Sequence, residues 1–138
     1  MKKLKIEIIL SVLAIMLSCT VALAQSQEKL NDEACSEFQK ADEEMNSIYK
    51  QILIQYKDDS IFIEKLKVAQ RAWLLFRDAH LESLYSEEDK LLYYGSVYPM
   101  CRCIALAGLT RKRTEELKLW LTGIEEGEVC GGSIRTIN

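Results

Sequence analysis

Apolar residues recur at helical spacing along three stretches of the chain, and one stretch is interrupted in an unusual way. The segment AQRAWLLFRDAH (69–80) carries Gln70, Arg71, Arg77 and Asp78 inside a run of Trp, Leu and Phe. At about 100° of rotation per residue, Leu66, Ala69, Trp73, Phe76 and His80 form one stripe. Gln70 and Arg77 flank it, and Leu74 and Leu81 extend the apolar arc beyond them. An arc that wide predicts a helix covered on two sides, the middle member of a bundle. Arg71 and Asp78 share the remaining side, which reads as a solvated face.

The pattern predicts three long helices, over about 29–56, 61–85 and 97–121. Asp58-Asp59-Ser60 supplies the first turn and an N-cap. The segment SEEDKLLYYGS (86–96) reads as a short helical turn ending at Gly95. Ser96 is placed to cap the third helix, and Pro99 is tolerated in its first turn. A single proline and few β-branched runs argue against a sheet. The expected fold class is all-α: a small up-down-up bundle of three long helices with a short helical turn before the third, stapled by disulfides.

Two more stripes refine this picture. The first helix reads Cys35, Phe38, Asp42, Met45, Asn46, Tyr49, Leu53, Tyr56, with a carboxylate in its middle. An unpaired buried carboxylate is expensive, so Asp42 needs a partner. In an antiparallel hairpin about residues 58–60, Arg77 comes level with Asp42, and Gln70 falls near Tyr49. The third stripe reads Cys103, Leu106, Ala107, Thr110, Leu117, Leu121, with Arg113 and Thr114 beside it. If this helix runs parallel to the first, the level joining Cys35 to Cys103 also joins Asp42 to Thr110 and Arg113. The expectation is a structural polar cluster of Asp42, Asn46, Gln70, Arg77, Thr110 and Arg113 between three helices.

The N-terminus changes the reading of the compartment. MKKLK is basic, IEIILSVLAIMLSCTV is mostly apolar, and Ala22-Leu23-Ala24 matches an A-x-A cleavage site. That layout is a secretory signal peptide. It predicts a signal peptide over 1–24, a helical domain over 25–122 and an irregular, acidic, glycine-rich tail over 123–138. The location is then periplasmic or secreted, with no membrane span after processing. The alternative is a lipoprotein anchored through Cys19.

Cleavage removes Lys2, Lys3, Lys5 and Glu7, so 18 basic residues become 15, 21 acidic ones become 20, and the net charge moves from −3 to −5. Such a surface disfavours nucleic acid, whose phosphates need a cationic face. It favours attraction to a basic partner. Cys35, Cys101, Cys103 and Cys130 remain, an even set in an exported chain, which suggests two disulfides among three possible connectivities. Cys101 and Cys103 point about 200° apart on a helix, so they need different partners. Cys103 faces the core and suits Cys35, which leaves Cys101 for Cys130. The second bridge is strained: Cys101 to Leu121 is about 30 Å of helix, and the tail back to Cys130 spans at most roughly that length.

Catalytic signals are sparse. The sequence holds one histidine and neither G-x-S-x-G nor H-E-x-x-H, so no enzyme is indicated. His80 reads as a packed residue. Cys101-x-Cys103 with His80 is a weak metal signal, set against disulfides in an exported chain. No metal or cofactor is expected. Tyr85, Tyr93, Tyr94 and Tyr98 bracket the 86–96 turn, as a core lid or as an interface, where Tyr is enriched.

Cys35, Asp42, Asn46 and Tyr49, then AQRAWLLFRDA (69–79), Gly95-Ser96, and Thr110, Arg113 and Leu117 together resemble the LprI-like lysozyme inhibitors. The resemblance covers roughly residues 30–120. It departs at His80-Leu81, where the family usually has a cysteine, and Cys130 lies outside the pattern. The resemblance implies an exported, non-enzymatic protein that binds lysozyme or another basic envelope protein. The runner-up is a structural or protein-binding module of the periplasm. Lysozymes are usually basic, so the acidic runs Asp42-Glu43-Glu44, Glu87-Glu88-Asp89 and Glu125-Glu126 suit such a partner. Glu87, Glu88, Asp89, Tyr93 and Tyr94 are the candidate interface.

Overall fold

The structure is a computed structural model that describes residues 25–137 in full. Over residues 2–24, read above as a signal peptide, only the helical backbone is described, and the side chains, Cys19 among them, lie outside the described residues. Helix α1 spans Lys2–Gln55, α2 Ser60–Leu84, α3 Lys90–Tyr94 and α4 Tyr98–Thr122, with a 3₁₀ turn over Gly95–Val97. Two short strands, β1 (Ile124–Glu125) and β2 (Thr136–Ile137), pair in parallel within the tail. Among the described residues no helix is long and apolar enough to cross a membrane.

The fold is an all-α, up-down-up bundle of three long helices. Parallel packing of α1 and α4 follows from Cys35–Cys103, Glu44–Lys118 and Tyr56–Trp120, which join the two helices at three successive levels. Met45–Gln70 and Asp42–Arg77 set α2 antiparallel to α1. Asp59 caps α2 by accepting from the Phe62 N–H. The core lies where the three helices meet, around Met45, Ile52, Leu66 and Leu117, with Tyr56, Phe62, Trp73 and Trp120 packed against it.

Two details differ from expectation. Ser96 does not cap α4; its carbonyl instead accepts from the Asn31 side chain, and Val97 precedes the helix without a side-chain cap. The inward face of α2 is rotated. Leu66, Gln70 and Leu81 are buried while Ala69 and Phe76 are exposed, so α2 has one covered side rather than two. A helix turns its face toward the partners it has, and α2 packs only against the α1–α4 pair.

The tail is tied down against the bundle. Trp120 donates to Ser133 Oγ, the Arg135 guanidinium sits 5.2 Å from the Tyr56 ring centroid, and the Ile124 N–H donates to the Arg135 carbonyl. Gly123 ends α4 at φ +82°, and a Cβ there would meet Ile137 and the Arg135 carbonyl.

Candidate protein-binding end of the bundle

One end of the bundle is built as a braced knuckle. Asp89 accepts from the Leu92 N–H at 2.9 Å and starts α3. Gly95, at φ +74°, ends it in a conformation that L side chains rarely adopt. Lys90 binds Glu82 at 2.8 Å and the Glu87 carbonyl at 3.2 Å, tying α3 back to α2. That hydrogen bond to Glu82 raises the Lys90 pKa.

Beneath the turn, Tyr85 meets Tyr94 and Tyr98 edge-on, with centroids 5.3 and 5.1 Å away. Such pairs add about 0.5–1.5 kcal/mol beyond area burial. Burial raises the Tyr85 pKa, and Cys101, Tyr98 and Tyr94 add to it. Close below, the Cys35–Cys103 disulfide ties α1 to α4 with Cα atoms 4.9 Å apart.

What this frame presents outward is apolar and acidic. Leu91, Leu92 and Tyr93 are 61%, 83% and 69% exposed on a single turn. Glu87 and Glu88 are exposed beside them and make no ion pair among the described residues. Asp89 is occupied as a cap, and Tyr94 is half-buried in the aromatic cluster. Of the five candidate interface residues, Glu87, Glu88, Asp89 and Tyr93 are exposed, Asp89 while also capping α3, and half-buried Tyr94 braces the turn.

The polar cluster resolves into separate parts. On the α1–α2 seam, Arg77 donates to Asp42 at 3.3 Å and to Asp78 at 3.0 Å, and Asn46 donates to Asp42 at 2.9 Å. Arg77 also lies against the Phe38 and Trp73 rings, 5.8 and 5.6 Å from their centroids. Its side chain is 14% exposed and that of Asp42 35%, so the pair closes the rim of the seam rather than its centre. Where α2 meets both α1 and α4, buried Gln70 donates to Met45 Sδ and accepts from Arg113 at 3.1 Å, and Arg113 also binds Glu116. The hydrogen bond Gln70 makes to α1 is with Met45, one turn before Tyr49. Thr110 is fully buried, and its hydroxyl has no partner.

The expected Cys101–Cys130 bridge is not made. Both cysteines are free, with Cys101 at the start of α4 and Cys130 beyond its end. Helix α4 is unbroken from Tyr98 to Thr122, which separates Cys101 from the tail that carries Cys130. Cys103 is committed to Cys35, which removes the Cys101-x-Cys103 pair from metal chemistry. His80 is half-buried and stacks on Phe76 at 5.6 Å.

The sequence model of the family described as "Lysozyme inhibitor LprI" matches residues 19–117, most of the chain. The chain belongs to the LprI lysozyme-inhibitor family. This is a family of inhibitors rather than enzymes. A protein of Rhizobium meliloti (strain 1021), described as an uncharacterized protein, is 38% identical over 69% of this chain and 73% of its own length. No solved structure matches the chain. The LprI match takes in the disulfide, both polar seams and the knuckle, and it ends before the tail. The Cys35–Cys103 disulfide expected from helix register and the helical bundle expected from periodicity are both present. Sequence reasoning missed the tail contacts of Trp120 and Arg135, because residues 123–137 carry no periodic signal.

Proposed function

We propose that the protein is exported and inhibits a basic muramidase through the knuckle at Glu87–Tyr93. The observation that carries this reading is the exposure of Leu91, Leu92 and Tyr93 on one braced turn beside two unpaired carboxylates. Large apolar side chains on a rigid turn lose little freedom on binding, so their burial is not offset by ordering. Glu87 and Glu88 supply attraction to a cationic surface and speed encounter. The family membership supports lysozyme as the partner, and the signal-like segment 1–24 supports a periplasmic or secreted location. A muramidase cleft works through two carboxylates, and an apolar turn seated over it excludes the polysaccharide without any chemistry.

The test is a cell-wall lysis assay with the purified protein in molar excess over a basic muramidase. The expected result is inhibition that weakens with salt, since opposite charges are screened over about 8 Å at physiological ionic strength. Leu92→Asp with Tyr93→Asp should abolish it, and Glu87→Lys with Glu88→Lys should weaken it most at low salt. An unchanged lysis rate at every ratio sinks the proposal.

A further inference from the structure

The outer side of α2 is bare and apolar. Ile61, Val68 and Leu75 are spaced seven residues apart, each between half and three-quarters exposed, with Phe76 exposed beside them. Ala69 and Ala72 lie between Val68 and Leu75, Ala79 lies just beyond, and all three are exposed too. Seven residues are close to two helical turns, so the large side chains stack along one line. The alanines between them leave room for side chains from a facing helix. This side lies opposite Leu66, Gln70 and Leu81, which face the core. An apolar stripe of this length on a soluble surface marks a contact site.

The charges along one edge identify the occupant. Glu64, Arg71 and Asp78 follow the same seven-residue spacing with alternating sign. A membrane-lying helix would carry Lys and Arg along its edges, and a uniformly charged protein would meet both signs. Glu64 and Arg71 are exposed and make no ion pair among the described residues. We infer that α2 pairs with α2 of a second copy of this chain, antiparallel and centred on Val68. In an antiparallel pair the same edge of each helix meets. Val68 then faces its own copy, Ile61 faces Leu75 of the other chain, and Glu64 faces Arg71 of the other chain, twice. The two ion pairs fix the register that also buries all three large side chains. The knuckle at Glu87–Tyr93 remains free in this arrangement.

The experiment is sedimentation equilibrium on the purified protein across a wide concentration range. The expected result is a reversible dimer. Val68→Glu should give the mass of one chain with unchanged helical circular dichroism, because the site is solvent-facing within a single chain, and its melting temperature should no longer rise with protein concentration as that of a dimer does. Arg71→Glu should weaken dimerisation about tenfold or more, and adding Glu64→Arg should restore it. A monomer at all concentrations overturns the inference, as does a dimer indifferent to Val68→Glu or a double variant that stays weak. A monomer whose Val68→Glu variant loses muramidase binding would assign this face to that partner and equally overturn it.

Discussion

Arg77 reaches Asp42 at 3.3 Å across the seam between α1 and α2, and the aromatic rings of Phe38 and Trp73 hold it there. The arginine is largely covered and the aspartate is a third exposed. The two partners therefore contribute differently. Arg77 packs a long apolar stem and a flat cation between rings, while Asp42 keeps access to water. Asp42→Asn should change stability by less than about 1 kcal/mol, as for a rim ion pair. Arg77→Ala should cost about 1–3 kcal/mol through lost packing and hydrogen bonds. Urea unfolding of the two variants checks this, and equal losses would contradict it.

Removing the disulfide should be more severe. Cys35 and Cys103 are 68 residues apart in sequence, and closing a loop of that size stabilises by about 4 kcal/mol in the chain-entropy picture. Cys35→Ser with Cys103→Ser, or reduction of the native protein, should lower the melting temperature sharply. An unchanged melting temperature after complete reduction would show that helix packing alone holds α1 to α4.

Thr110 carries a buried hydroxyl with no hydrogen-bond partner. Replacing it with a methyl of similar shape removes an unmet polar group. Thr110→Val should be neutral or stabilising by up to about 1 kcal/mol. Thr114 is the contrast, since its hydroxyl donates to the Thr110 carbonyl at 2.9 Å. Thr114→Val should therefore destabilise, and thermal melts of the pair read the difference in sign.

Alkaline pH should loosen the knuckle first. Burial raises the Tyr85 pKa above its usual 10.0, with Cys101, Tyr98 and Tyr94 adding to the effect. The folded state then holds this proton more tightly than the unfolded chain does. The stability it contributes is full below 10.0 and is lost as pH rises through the higher folded value. Burial raises the Tyr49 pKa in the same direction, opposed by the Arg71 charge. Melting temperatures measured through this window should fall, and Tyr85→Phe should flatten the slope. A slope that Tyr85→Phe leaves unchanged would contradict this assignment.

Much of the architecture was legible in the chain itself. Helical spacing located the three rods, and the seven-residue steps from Cys35 to Asp42 and from Cys103 to Thr110 carried the parallel register of α1 and α4. Chain direction and the turn at residues 58–60 placed Arg77 level with Asp42. The spacing of SEEDKLLYYGS marked a short turn before the last helix. These features follow from local geometry, which repeats every 3.6 residues whatever the surroundings.

Rotation was a tertiary matter. Periodicity shows that a helix has sides, but a helix apolar nearly all round does not state which side is covered. Packing turned Gln70 and Arg77 of α2 inward, because their long side chains reach Met45, Arg113 and Asp42 across the seams while their stems cover apolar surface. It left Val68, Leu75 and Phe76 outward, where nothing among the described residues covers them. Tertiary structure also kept Cys101 and Cys130 apart and moored the tail through Trp120 and Arg135. The chain alone determined three rods, their order and their register; only three-dimensional packing decided which faces meet, because burial depends on partners distant in sequence.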